Sequence, residues 1–244
     1  LTVDTVTLQW TYYRTDFNSS GWKYNPPKKK DKPDSFYKKV NDVALIYIPH
    51  WSMLMASFSA SKLANECNAI PYTNNQYDLV REKVEQAIKS ELEHRLYIEK
   101  SYISRFDVNK NIEFPSIEDA KEFIRWAQKH PIIGKYIKTS YGDNGDYRSM
   151  KTGLVLKIYL KNEDPALPEE IRKNLPPTVR IEAECRKHFR KKMLDKKVSG
   201  EILKYPAIWK QFYDATLEKF KLSGTILNFK DYKSAVQTIL QFEY

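Results

Sequence analysis

One strand-like segment carries a tyrosine whose neighbours suit covalent chemistry. In LVLKIYLKNED, residues 154–164, Tyr159 stands between Lys157 and Lys161 and is followed by Glu163. A phenol oxygen can attack phosphorus and hold the phosphate as an ester, but its ordinary pKa of about 10 means that a base, a lysine or a metal ion must activate it. Tyr159 is therefore a candidate nucleophile, with Lys157 and Lys161 activating it or holding a phosphate oxygen.

Acidic residues on other predicted strands are candidate metal ligands. Side chains alternate along a strand, so Asp107 lies on the polar face of its strand, and Glu182 and Glu184 lie on the polar face of theirs. If these strands are neighbours, the three acids share a surface with Tyr159 and with Glu163, which is a fourth candidate metal ligand. Carboxylate oxygens suit hard divalent ions, so the expected cofactor is Mg²⁺ or Mn²⁺, which would clamp and polarise a phosphodiester.

The same alternation also describes an ordinary surface. The outer face of an antiparallel sheet is usually polar, and interleaved Lys, Glu and Arg are typical of a solvated face. The chain has 17 tyrosines, so a tyrosine in a strand is not unusual. The spacing alone leaves both interpretations open and favours the solvated face.

The composition favours a polyanionic partner. The 244 residues carry a net charge of +10, and the seven glycines form no Gly-rich nucleotide loop. The segment CRKHFRKKMLDKK, residues 185–197, is expected to be a basic helix that neutralises phosphates. Trp10, Tyr12, Trp22 and Trp51 are aromatic candidates for stacking on unpaired bases, although core packing is expected for most. The candidate DNA-binding residues are Arg105, Arg180, Arg186, Lys187, Arg190, Lys191 and Lys192.

Other classes of site find little support. Cys67 and Cys185 form no paired motif, so the sequence predicts no zinc site and suits a reducing compartment. The four histidines are scattered, without a metal or triad spacing. No apolar run approaches the roughly 18 residues of a membrane span. We expect a cytoplasmic protein without a membrane partner.

Hydrophobic periodicity predicts the elements that must position these residues. Strands are expected at residues 3–13, 101–110, 132–140, 151–161 and from 178 onward, with a hairpin at 43–60 that turns near Pro49. Helices are expected at 77–100, 116–130, 201–221 and 229–242, and a short helix can form between 165 and 177. The N-cap of the first is expected to be Asn74 or Asn75, and Ser116 and Asp119 are expected to form a capping box at the start of the second. Residues 59–75 are expected to be irregular and residues 141–149 to form a turn. The order predicts an α+β fold with an antiparallel sheet and a helical C-terminal tail.

Five segments, in order, resemble rolling-circle replication initiators of the filamentous-phage gene II/X type and related plasmid initiators. The opening VDTVTL resembles the first strand of that family, and SFSASKLANECNAIPYTNNQ resembles its Ser-x-x-Lys segment. YISRFDVN resembles its Arg–Asp strand, LVLKIYLKNED its tyrosine strand, and TVRIEAECRKHF its Arg-x-Glu strand with a basic segment. The resemblance covers most of the chain.

The resemblance implies an HUH-class nuclease and ligase. Its fold would be an HUH/RRM-like antiparallel sheet with helices on one face. Tyr159 matches the position of the nucleophile and Lys161 that of the lysine two residues later, while Asp107 and Glu182 match acidic strand positions that we interpret as metal ligands. The paired histidines that name the class are absent, since Cys67 and Asn68 stand nearest to them, so the metal ligands would be largely carboxylates.

The expected activity is the nicking and rejoining of one strand at a replication origin through a 5′-phosphotyrosine. The DNA partner would be a replication origin that is double-stranded or extruded as a hairpin, and single-stranded at the nick. The protein partners would be a host helicase and a polymerase. The sequence leaves open whether the protein forms a homodimer. Residues 1–198 would form the origin-binding and nicking domain and residues 199–244 a C-terminal helical segment. Two alternatives are a plasmid-mobilisation relaxase, with the same chemistry, and a non-catalytic nucleic-acid-binding module, which would need the charge and the aromatic residues but not the acids.

Overall fold

The fold is α+β, with ten strands in one large sheet and several helices. The computed structural model describes residues 1–12, 17–27, 32–92, 95–129, 136–140, 144–150, 153–186, 199–220 and 222, without the side chains of 136–140 and of Arg186. The strands are β1 Thr2–Thr11, β2 Lys23–Asn25, β3 Ser35–Val40, β4 Val43–Ile48, β5 Met53–Ser59, β6 Tyr102–Glu113, β7 Tyr136–Ser140, β8 Gly145–Met150, β9 Leu154–Leu160 and β10 Thr178–Arg186. The helices are α1 Ala60–Asn65, α2 Tyr77–Leu92, α3 Ile117–Lys129, α4 Glu169–Asn174 and α5 Pro206–Lys219.

The strand order in the sheet is β2-β3-β4-β5-β1-β6-β10-β9-β8-β7. The pairings with a defined register are antiparallel, from β2–β3 at one edge to β8–β7 at the other. The order places β10 between β6 and β9, so the strands that carry Asp107, Glu182 and Tyr159 are neighbours.

Contacts divide the chain into two compact units. One contains Leu1–Asn109 and Glu184–Trp209, and the other contains Lys110–Ala183 and Lys210–Tyr244. Strands β6 and β10 contribute residues to both. This division reflects which residues contact one another. The domain boundary expected after residue 198 separates two functional regions, and it stays a prediction.

The core of the first unit lies on the central strands and on α2. Leu8, Leu45 and Leu54 are fully buried on β1, β4 and β5. Helix α2 buries Val80, Val84, Ile88 and Leu92, which are four residues apart and so form one stripe on its surface. That stripe confirms the predicted amphipathic helix.

The core of the second unit is built from β8, β9 and α3. Leu154, Leu156 and Ile158 alternate along β9 and are fully buried, as the period of two predicted. Helix α3 buries Ala120, Phe123, Ile124 and Ala127. The hydroxyl of Ser116 accepts a hydrogen bond from the backbone N–H of Asp119 at 3.1 Å and donates to its carboxylate at 2.7 Å, so Ser116 caps the start of α3 and contacts Asp119, as the predicted pairing of these two residues requires.

Four local predictions are wrong. Residues 60–65 form α1 rather than irregular structure, because Ser59 caps it by accepting from the N–H of Lys62. Helix α2 ends at Leu92 rather than at residue 100. Asn74 and Asn75 do not cap it but lie in the 3₁₀ turn Asn74–Gln76 just before it, and the N-cap of that turn is Thr73, in a capping box with Gln76. Most of the expected turn at 141–149 is β8, because pairing with β7 and β9 overrides its turn-like composition.

Several expectations lie outside the described residues. They include the basic helix after β10 and the helix at 229–242. Among the described helices, none combines the length and the apolar character needed to cross a bilayer.

Candidate active site and metal centre

Tyr159 lies near the end of β9 on the side opposite the buried leucines. Its directly opposed residue on β8 is Gly145, which has no side chain to fill the adjacent position. Tyr159 is half-buried, and its hydroxyl lies 3.3 Å from Oε2 of Glu182 on β10, to which it donates a hydrogen bond. The phenol oxygen therefore touches a carboxylate that can accept its proton.

Three carboxylates form a buried cluster on β6 and β10. Asp107 is 0% exposed, Glu182 5% and Glu184 1%. Each contributes an oxygen, and these oxygens all lie within 4.8 Å of one another. The solvated-face interpretation is therefore wrong for these acids, because they are removed from water and must be neutralised by nearby positive charge.

Two cations already offset part of this charge. Arg105 donates to Asp107 through Nε at 3.1 Å and through Nη2 at 2.5 Å, and the same Nη2 reaches Glu184 at 3.3 Å. Lys157 donates to Glu182. Among these five side chains, three negative and two positive groups leave one negative charge in excess.

The donor set fits a hard divalent cation. Carboxylate oxygens are the ligands that Mg²⁺ and Mn²⁺ prefer, and Mg²⁺ is commonly held by only one or two of them together with water and substrate phosphate. The close approach of the three acids favours such an ion. The cluster of Asp107, Glu182 and Glu184 could therefore hold a metal ion.

Lys161 is buried inside the protein, whereas most lysines lie on the surface. Strand β9 ends at Leu160, and Lys161 begins a 3₁₀ turn, Lys161–Glu163. The side chain is 0% exposed, and its Nζ lies 2.5 Å from Oδ2 of Asp164 and 5.9 Å from the centre of the Tyr159 ring. Burial alone would raise the pKa of Asp164, but the hydrogen bond and the charge of Lys161, with the N–H of Ala166, hold that pKa below its usual value.

A cavity of about 300 Å³ opens beside Tyr159. Tyr147, Lys157, Tyr159 and Glu163 are among the residues that line it. Glu163 is exposed at its rim and, among the described residues, is not part of the carboxylate cluster. The tyrosine therefore faces a space that a substrate can enter.

The predicted DNA-binding residues are dispersed. Arg105 is engaged with the carboxylate cluster, and its side chain is 34% exposed. Arg180 is 1% exposed and donates to Asn111 at 2.9 Å, so it lies inside the protein. Lys187, Arg190, Lys191 and Lys192 lie outside the described residues, as does the side chain of Arg186.

Two features of the site were not anticipated. Asp164 was not singled out, although its position three residues after Lys161 is a spacing at which a turn brings two side chains together. Gly145 was assigned to a turn, and no sequence signal indicates that it faces Tyr159. Only the strand pairing reveals it.

Comparisons with known proteins identify no family. No family model and no curated protein matches the chain. A solved structure with some similarity is the di-domain ARO/CYC BexL from the BE-7585A biosynthetic pathway, which is 11% identical over 77% of this chain and 75% of that chain, with a TM-score of 0.20. So low a TM-score carries no argument about fold or function.

Proposed function

We propose that the protein is a DNA-nicking and strand-rejoining enzyme, which acts as a rolling-circle replication initiator on an HUH/RRM-like sheet. The observation that carries the proposal is the contact between the Tyr159 hydroxyl and Glu182, which belongs to the three-carboxylate cluster. A nucleophile, a proton acceptor and a candidate metal site thus meet on neighbouring strands. The net charge of +10 favours DNA as the partner.

The proposed reaction is a transesterification at phosphorus. Glu182 accepts the phenol proton as Tyr159 Oη attacks the scissile phosphate. The new bond joins Oη to phosphorus, the bond from phosphorus to the 3′ oxygen breaks, and that oxygen takes a proton and leaves as a 3′ hydroxyl. The reverse reaction rejoins the ends, because the phosphotyrosine ester retains the bond energy.

The cations beside the cluster would bind the charged substrate. Lys157 lines the cavity next to Tyr159 and contacts Glu182, so it can exchange that contact for a phosphate oxygen. Asp107, Glu182 and Glu184 would hold the divalent ion, which supplies Lewis-acid polarisation of the phosphate when bound. Lys161, held by Asp164, would position the Tyr159 ring.

The test is covalent capture. The protein is incubated with end-labelled single-stranded origin DNA and Mn²⁺ and run on a denaturing gel, where a protein–DNA adduct should appear. Tyr159→Phe should abolish the adduct, whereas Tyr147→Phe, which changes another tyrosine of the same cavity, should retain it. DNA binding without any adduct, equal in EDTA and in Mn²⁺, would instead indicate a non-catalytic binding module.

A further inference from the structure

A tryptophan is exposed in the turn that joins β4 and β5. The turn is the 3₁₀ segment Pro49–Trp51, and Trp51 is 53% exposed. By contrast, Trp10, Tyr12 and Trp22 are all buried, as expected for most of the aromatic candidates. Burying this indole would remove much apolar surface from solvent, and an exposed ring that adjoins further apolar surface is a candidate binding surface.

The turn holds Trp51 in a fixed backbone position. The N–H of Ser52 donates to the carbonyl of Pro49 at 2.8 Å, and the N–H of Tyr12 on the neighbouring chain segment donates to the carbonyl of Ser52 at 2.7 Å. Pro49 restricts the backbone further. A ring presented from such a turn loses little backbone freedom when a ligand stacks on it.

Trp51 forms one wall of a cavity of about 500 Å³. Phe36, Pro33 and Pro49 supply the other apolar surfaces, and Lys32 and His50 also line it. This volume lies within the range of roughly 300–1,000 Å³ that is typical of sites for small molecules and for parts of larger ligands. The cavity therefore offers flat apolar walls next to nitrogen donors.

Aromatic surface continues beyond the cavity. The ring of Tyr24, which is 51% exposed, lies 5.8 Å from the ring of Phe36. Asp34, which also lines the cavity, is hydrogen-bonded to the Tyr24 hydroxyl and thereby raises the pKa of that phenol. The one carboxylate among the cavity's described lining residues is thus engaged by a neighbour.

The charge of this region favours an anion. Lys32 lines the cavity and supplies a positive charge, while the carboxylate of Asp34 is engaged by Tyr24. Exposed aromatic rings beside positive charge are the two components of a surface that binds single-stranded nucleic acid. A base stacks on a ring through its π face, while the phosphates meet the cations.

We propose that Trp51 and the cavity beside it bind unpaired bases of single-stranded DNA, with Lys32 contacting the backbone. This inference rests on the proposed function for the choice of DNA, and it adds a second contact surface. All its residues belong to the first compact unit, whereas Tyr159 belongs to the second. The site would hold the DNA strand that becomes unpaired when the duplex of an origin is opened.

The test measures binding without chemistry. The 244-residue protein with Tyr159→Phe, in EDTA, is titrated into a fluorescein-labelled oligothymidylate of about 12 nucleotides. Trp51→Ala should weaken binding by about 5- to 150-fold, the effect of losing one stacked base. Trp51→Tyr should retain most of the affinity, and Tyr205→Ala, which removes another aromatic ring that is 48% exposed, should have no effect. Lys32→Gln should reduce the slope of log affinity against log salt by about 0.7.

Two results would overturn the inference. One is unchanged oligothymidylate binding in Trp51→Ala, and the other is an equal loss of binding to oligothymidylate and to a duplex of the same length. The proposed nicking activity is judged separately, by whether the protein with both Trp51 and Tyr159 unchanged forms the covalent adduct with origin DNA and Mn²⁺. Trp51-dependent binding without that adduct would support this site and reject the nicking reaction.

Discussion

Replacing Glu184 by glutamine should have opposite effects on stability in the absence and in the presence of metal. Its carboxylate lies within 4.8 Å of both Asp107 and Glu182 and 3.3 Å from Arg105. At an effective dielectric constant of about 20, the repulsion from Asp107 and the repulsion from Glu182 are each at least about 3.5 kcal/mol, and the attraction to Arg105 is about 5 kcal/mol. Removing the charge should therefore stabilise the metal-free protein by about 2 kcal/mol.

Manganese should reverse that advantage. At a concentration of about 100 times its Kd, the ion stabilises the wild-type protein by about 2.7 kcal/mol. A variant that binds it about 100-fold more weakly gains only about 0.4 kcal/mol at the same concentration. The Mn²⁺-induced stabilisation should therefore nearly disappear in Glu184→Gln.

Thermal unfolding in EDTA and in Mn²⁺ measures both effects. In EDTA the Tm of Glu184→Gln should rise by about 4–8 °C, given 2–4 °C per kcal/mol for a chain of this size. Glu170→Gln, which changes an exposed glutamate on α4, should alter neither the Tm nor its response to Mn²⁺. The reasoning is refuted if Mn²⁺ raises the Tm of wild type and of Glu184→Gln equally, or if it raises neither.

Two further predictions concern the lysines beside Tyr159. Lys157→Gln removes one of the two described cations next to the carboxylate cluster, so it should destabilise the protein in EDTA and tighten Mn²⁺ binding at least about tenfold, measured by calorimetric titration. Weaker Mn²⁺ binding would contradict this. Asp164→Asn leaves the buried ammonium of Lys161 without that carboxylate and should cost about 3–5 kcal/mol at pH 7. Because the pKa of Asp164 is lowered from 3.8 on folding, its contribution is present above about pH 4 and is lost as the pH falls through the folded value. Urea unfolding between about pH 2 and pH 7 should therefore show wild type and Asp164→Asn converging in acid, and a constant difference would refute the ion-pair role.

The alternation along β9 shows what could be predicted. Leu154, Leu156 and Ile158 were assigned to the core and are fully buried, because a period of two is a local property of an extended chain. The same alternation fails at Lys161. A strand that continued past Leu160 would place Lys161 on the same face as Tyr159. The chain instead turns after Leu160 and buries Lys161 against Asp164.

The strands with weak patterns were missed. Strand β8 has the sequence GDYRSM, whose Gly, Asp and Ser are typical of a turn, and it becomes a strand because β7 and β9 supply hydrogen-bonding partners on both sides. Strand β3, SFYKKV, was likewise not expected, and it pairs with β2 and β4. Strand formation in such segments depends on partners distant in sequence.

For the candidate site, the sequence by itself determined which residues could do chemistry and which side of each strand they occupy. Asp107, Glu182, Glu184 and Tyr159 were all selected on those grounds. Only the tertiary structure decided that β10 lies between β6 and β9, that the three acids are buried together, and that the phenol of Tyr159 contacts Glu182. The physical reason is that side-chain alternation follows from the local backbone, whereas strand neighbours and burial arise from contacts between residues far apart in sequence. Arg105 and Glu184, for example, are 79 positions apart.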